Sequence, residues 1–166
     1  MLDILIPTVA QGLLWSLLAL GVYITFRVLD IADLSVEGTF PLGAAVAASC
    51  VVAGHSLFTA FLLAVIAGCI AGAVTGWLTT KLKIPALLSG ILTMIGLYSV
   101  NLRVMGRANV SLLGSDTVYS WGLAAGLSES QTTLVVGLIA VAAVMLLIYW
   151  FFGTEIGLAL RATGFN

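Results

Sequence analysis

Three carboxylates, Asp30, Asp33 and Glu37, stand within one short stretch of a chain that has 7 acidic residues in all. The stretch, Arg27 to Gly43, also carries Ser35, Gly38, Thr39 and Pro41, and long uncharged runs flank it. Carboxylates between apolar runs suit one task in particular, which is to line a path through a membrane. A charged side chain at the centre of a span costs about 2.5–3.5 kcal/mol on insertion scales, so one placed there implies a use. A structural role competes with that reading. Glu37 can sit at the N-terminus of the next helix, where the helix dipole favours an anion, and Ser35 or Thr39 can cap it. Asp30 and Asp33 are then solvated near the membrane surface. Asp33, Ser35 and Glu37 stand as candidate gate or path-lining residues, with Thr93 and Asn101 further along the chain. For Asn101, hydrogen bonding between helices is the competing role.

Other chemistries find no residues to carry them. No G-x-x-x-x-G-K-[ST] loop occurs, so the chain itself is not expected to hydrolyse ATP. A single histidine, His55, cannot assemble a metal site, and neither metal nor cofactor is expected. The net charge of −1 implies no surface for nucleic acid. Cys50 and Cys69 lie inside apolar runs and read as buried, inert thiols.

The residues that position these groups are those of an integral membrane protein. Hydrophobic residues make up 61% of the chain and charged residues 8%, against about 25% charged in soluble domains. The expected fold is an all-α polytopic membrane protein of about five transmembrane helices, forming a bundle over residues 1–153. The uncharged runs and their punctuation place the spans near 4–26, 39–53, 57–80, 86–105 and 131–152. Gly54-His55-Ser56 is the turn between the second and third. The second span is short or discontinuous, and irregular backbone leading into it must be covered by protein or water. Ala64, Gly68, Gly72 and Gly76 recur every four residues in the third and are expected to serve helix packing. The apolar segment around Trp121 to Leu127 can dip into the interface, and Tyr149 to Phe152 form an aromatic belt. An outside N-terminus puts Arg27, Lys81, Lys83 and Arg161 on the cytoplasmic side and Arg103 and Arg107 outside, which favours that orientation.

The tail reads Thr154-Glu155-Ile156-Gly157-Leu158-Ala159-Leu160-Arg161-Ala162-Thr163-Gly164-Phe165-Asn166. On its pattern alone it is a short amphipathic helix, either lying on lipid or docking on a partner. Thr-x-x-Gly-x-x-x-Arg-Ala-x-Gly-x-Asn resembles the cytoplasmic coupling segment of ABC importer permeases of the branched-chain amino-acid and ribose type. Ala32-Asp33-Leu34-Ser35-Val36-Glu37-Gly38 and the residues after it resemble the same permeases. Gly106-Arg107-Ala108-Asn109 and Leu112-Leu113-Gly114 are similar to the subgroup that works with tryptophan/tyrosine-type substrate-binding lipoproteins.

The resemblance implies a multi-pass protein of the bacterial inner membrane that imports a small polar solute, an amino acid by its subgroup. Its implied partners are an ABC ATPase subunit, an extracytoplasmic substrate-binding protein, a second permease copy in a homodimer, and the lipid bilayer. Glu155, Gly157, Arg161 and Gly164 would couple to the ATPase. Arg103, Arg107, Asp116 and Glu129, around the long connection, would contact the binding protein, unless that connection is simply a solvated loop. Such permeases continue with further spans, so this chain is expected to be an N-terminal half whose coupling segment, 154–166, is incomplete. An ion-coupled secondary transporter or channel, or a non-transporting fragment, is the alternative.

Overall fold

The computed structural model describes residues 2–115 and 117–164. Seven α-helices follow one another among them: α1 (Leu2–Tyr23), α2 (Val36–Val52), α3 (Leu57–Thr80), α4 (Ala86–Met105), α5 (Val118–Ala124), α6 (Glu129–Phe152) and α7 (Glu155–Thr163). A π-helical turn, Ile24–Val28, extends α1. Four segments are long and apolar enough to cross a membrane: Ile4–Val28, Leu57–Thr80, Ala86–Met105 and Glu129–Phe152. The apolar α2 is shorter, as the sequence predicts.

Large apolar side chains point outward along these spans, with Phe58 74% and Tyr149 84% exposed. A soluble protein rarely exposes contiguous apolar surface on this scale. In a bilayer the same side chains contact acyl chains, and every backbone group inside the helices is satisfied locally. The chain is a multi-pass membrane protein.

Two compact units make up the chain. The first joins the residues up to Ile31 with those from Val118 onward. In it α1 lies along α6. Gly137 makes room for Leu13, whose Cβ would be 3.2 Å from a side chain there. Ala10 is buried in the same contact zone. Ser128 and Gln131 form a complete capping box that starts α6, which satisfies two orphan N–H groups at its N-terminus. The apolar stretch after residue 117 is ordered. It folds into α5, which packs Gly122 against the Thr132 side chain and is followed by a turn at Gly126, where φ is +79°.

The second unit, Ala32–Thr117, holds α2, α3 and α4. Its apolar centre is Leu42, Ala71 and Leu97, with Val46 and Ala67 against them. One face of α4 is buried at Ser89, Gly90, Thr93, Leu97 and Asn101, which is the three- and four-residue periodicity of a helix face. Pro41 lies inside α2, where it removes one helical hydrogen bond near the N-terminal end.

The small-residue stripe on α3 meets no neighbour among the described residues. Added Cβ atoms at Gly68, Gly72 and Gly76 would meet nothing within 4 Å, and Ala64 is not buried. The face that packs holds Ala60, Ala71 and Thr75 instead. A small-residue stripe permits close approach, but the approaching surface must be supplied, and within this unit α2 and α4 fill the neighbouring face. Gly72→Leu should therefore change unfolding stability in detergent by no more than about 0.5 kcal/mol, as is usual for surface sites. A larger loss in a thermal melt would show that the stripe is in use.

Candidate functional site

The acidic stretch forms the entry to α2. Asp33 Oδ1 accepts a hydrogen bond from the Ser35 N–H at 2.8 Å. This is an Asx-type turn that orders the chain just before the helix. Ser35 is buried and occupies the N-cap position, but its side chain makes no cap hydrogen bond. The Thr39 hydroxyl donates to the Val36 carbonyl. The cap expected from Ser35 or Thr39 is not made by a side chain: the Glu37 and Gly38 N–H groups donate to the Leu34 and Ser35 carbonyls, and Asp33 holds the Ser35 N–H two residues on. Glu37 is exposed in the first turn of α2, where its charge complements the helix dipole. Asp33→Ala should cost about 1 kcal/mol of stability, the usual net worth of a lost hydrogen bond, with Asp33→Asn keeping most of it. Chemical or thermal unfolding in detergent measures both.

Two glycines that sequence reasoning did not single out hold this entry in place. At Gly90 an added Cβ would lie 2.7 Å from the Leu34 nitrogen and 2.8 Å from Asp33 Oδ1. At Gly38 it would lie 2.9 Å from the Met94 Cα. The start of α2 is therefore seated directly on the backbone of α4. The buried small residues of α2, Gly38 and Ala45, are separated by seven positions, and that spacing was the available signal.

The remaining path-lining candidates lie in the interior of the same unit. Thr75 and Thr93 are buried with their hydroxyls 2.9 Å apart, and Thr79 and Ser89 meet at 3.0 Å. Asn101 Nδ2 donates a long hydrogen bond, 3.5 Å, to the Gly38 carbonyl. Its Oδ1 is buried and has no protein partner. Thr93 also borders a cavity of about 600 Å³ whose other walls, among them Leu42, Ala71 and Leu97, are apolar. These polar groups knit α2, α3 and α4 together, which is the helix-to-helix role weighed for Asn101.

The tail is built from the end of α6 outward. Thr154 caps α7, its Oγ1 accepting from the Gly157 N–H at 3.3 Å. Gly157 is buried against Phe151 and Phe152, and an added Cβ would lie 2.6 Å from the Phe152 Cα and closer still to the Phe151 carbonyl oxygen. Gly164 abuts the Val28 carbonyl at the end of the π turn, and an added Cβ would be 3.2 Å from the Leu29 Cα. The Arg161 guanidinium lies over the Phe152 ring, 5.1 Å from its centroid, a cation–π contact. Gly157, Arg161 and Gly164 thus share the face of α7 that rests on this chain's own helices. The two glycines closely approach α6 and the π turn of this chain, where backbone already occupies the space a side chain would need. Glu155 lies on the opposite side and is exposed, as are Ile156 (68%) and Leu158 (55%).

The charged residues around the long connection are not brought into one cluster by any contact described. Arg103 lies in the last turn of α4 and Arg107 just beyond it, both exposed. Glu129 is exposed in the first turn of α6. Asp116 lies outside the described residues. Among the described residues no three His, Cys, Asp or Glu side chains could hold a metal ion. Cys50 is half-buried and Cys69 exposed, so the expectation that both are buried fails for Cys69, which lies on an outward face of α3.

Comparison with known proteins decides the family. Residues 4–166 match the model of the permease component of the branched-chain amino acid transport system. The chain belongs to that permease family. It is 38% identical over 162 residues to a protein of Clostridioides difficile named tyrosine transport system permease protein, covering 98% of this chain and 52% of the relative. An uncharacterised protein of Rickettsia prowazekii is also 38% identical over 165 residues, 99% of this chain and 56% of the relative. The permease chain therefore spans about half the length of the curated relatives it matches. No solved structure matches it. Membership in the family agrees with the resemblance carried by the Asp33–Gly38 and Thr154–Gly164 motifs.

Proposed function

We propose that this chain supplies part of the permease subunit of an ATP-driven importer for an amino acid in a bacterial cell membrane. It binds no ATP itself. An ABC ATPase subunit would supply the energy, an extracytoplasmic binding protein would deliver the solute, and a second permease copy would share in forming the path. The observation that carries this reading is the family match across residues 4–166. Identity to a relative named for tyrosine transport favours an amino acid, and an aromatic one, as the cargo.

In this reading α7 is the coupling element. Its inner face, Gly157, Arg161 and Gly164, fastens it to the ends of α6 and the α1 extension. Its outer side, centred on Glu155 and Ala159 and flanked by Ile156 and Leu158, enters a groove on the ATPase. A push on α7 is then delivered to two spans at once, because backbone-to-backbone seating leaves little slack. Arg103, Arg107 and Glu129 would meet the binding protein. Asp33 and Glu37 belong to the joint that shapes the entry to α2, with Glu37 the exposed group available to a gate.

The test is uptake of labelled tyrosine into proteoliposomes that hold the permease, its ATPase and its binding protein. Accumulation that requires ATP inside the vesicle is the expected result. Uptake that follows an ion gradient with ATP absent would favour a secondary transporter and refute the reading.

A further inference from the structure

Where the α1 extension meets the C-terminal end of α6 and α7, the first unit encloses a cavity of about 760 Å³. Its lining divides sharply by chemistry. Leu20, Ile24, Met145 and Ile148 form apolar walls from the two spans, and Arg27 and Arg161 stand at the end where the spans stop. Leu20 precedes Arg27 by about 10 Å along a helix, so an apolar depth leads up to a cationic rim. Tyr23 and Asp30 share that rim. Among the described residues neither guanidinium has an ion-pair partner, and Asp30 leaves the rim with an excess of one positive charge.

We propose that this cavity binds an anionic phospholipid, the phosphodiester at Arg27 and Arg161 and an acyl chain along the apolar walls. The geometry suits that ligand at each point. Arg161 gives its face to the Phe152 ring, which leaves the edge N–H groups of a planar guanidinium free for phosphate oxygens. Arg27 sits in the π-helical turn, the kind of local widening that recurs at functional sites. The walls belong to two membrane spans, whose surroundings are acyl chains, so a lipid fills the apolar part where a soluble phosphate cannot. Basic pockets between spans near a membrane surface hold anionic headgroups by the same combination of forces. The inference does not depend on the transport reading. It does bear on it, because the site joins the foot of α7 to both spans, and an occupied site would brace them.

Native mass spectrometry of the delipidated chain, titrated with phosphatidylglycerol or phosphatidylcholine, tests the assignment. Two arginines near the surface are expected to give about a tenfold preference for the anionic lipid. The preference should vanish in Arg27→Gln/Arg161→Gln and persist in Arg27→Lys/Arg161→Lys and in Lys81→Gln/Lys83→Gln. Should the double glutamine variant fail to elute as a folded species, Arg27→Gln alone, at an exposed position, should still weaken the preference. Equal binding of the two lipids would overturn the proposal, as would a preference untouched by the arginine changes. A loss of equal size in Lys81→Gln/Lys83→Gln would reduce the effect to general surface charge and overturn the proposal. Displacement by glycerophosphate as effective as by phosphatidylglycerol would assign the site to soluble phosphates instead.

Discussion

Under the proposed coupling role of α7, Gly157→Val should uncouple a permease carrying this sequence from its ATPase while leaving the spans in the membrane. The added side chain would occupy the space of the Phe151 carbonyl and the Phe152 Cα. Neither atom can yield, since both are backbone within or at the end of α6. Overpacking at a close contact costs typically about 1–3 kcal/mol, and each 1.4 kcal/mol is about tenfold in an equilibrium. The seated form of α7 should therefore lose roughly ten- to hundredfold in population. ATP-dependent uptake should fall in step, as should ATPase recovered with the permease in a pull-down, while the yield of membrane-inserted chain stays unchanged. Ala159→Trp offers a contrast. Ala159 is exposed, so this change should block partner docking without disturbing the seat of α7. Unchanged ATPase recovery from the Gly157→Val permease would count against the role of α7.

The second large effect is on stability. Gly90→Val and Gly38→Val each drive a side chain into backbone at the α2–α4 junction, against Leu34 in one case and Met94 in the other. Each should cost at least about 1–3 kcal/mol. Because the two sites serve one interface, the double variant should fall short of their sum. Both should lower the midpoint of thermal unfolding in detergent, where Gly72→Leu leaves it in place. A Gly90→Val protein that melts with the parent would mean that α2 is not seated on α4.

Much of the architecture could be read before any coordinates. α3 ends at Thr80 and α4 begins at Ala86, on either side of the charge and Pro punctuation at Lys81, Lys83 and Pro85. The site was less legible for a physical reason. A glycine reports that something can come close, and only the fold reports what does. The regular stripe on α3 met nothing in this chain, while single glycines at 38, 90, 157 and 164 met backbone. The same holds for Asp33, whose type suited a pathway carboxylate equally well. Its actual partner, the Ser35 N–H, is set by a local turn. Arg27 and Arg161 are far apart in sequence, so no spacing argument could place them on one cavity. The motif at Thr154–Gly164 pointed to the right family, but periodicity alone could not say which of its faces was already occupied.

ATP hydrolysis by the reconstituted assembly tests the central claim most directly. With the permease, the ATPase and the binding protein in one membrane, the rate should rise when the binding protein carries its amino acid, and the rise should be lost with Gly157→Val. A rate indifferent to the loaded binding protein, or one equally stimulated by the Gly157→Val permease, would contradict the account.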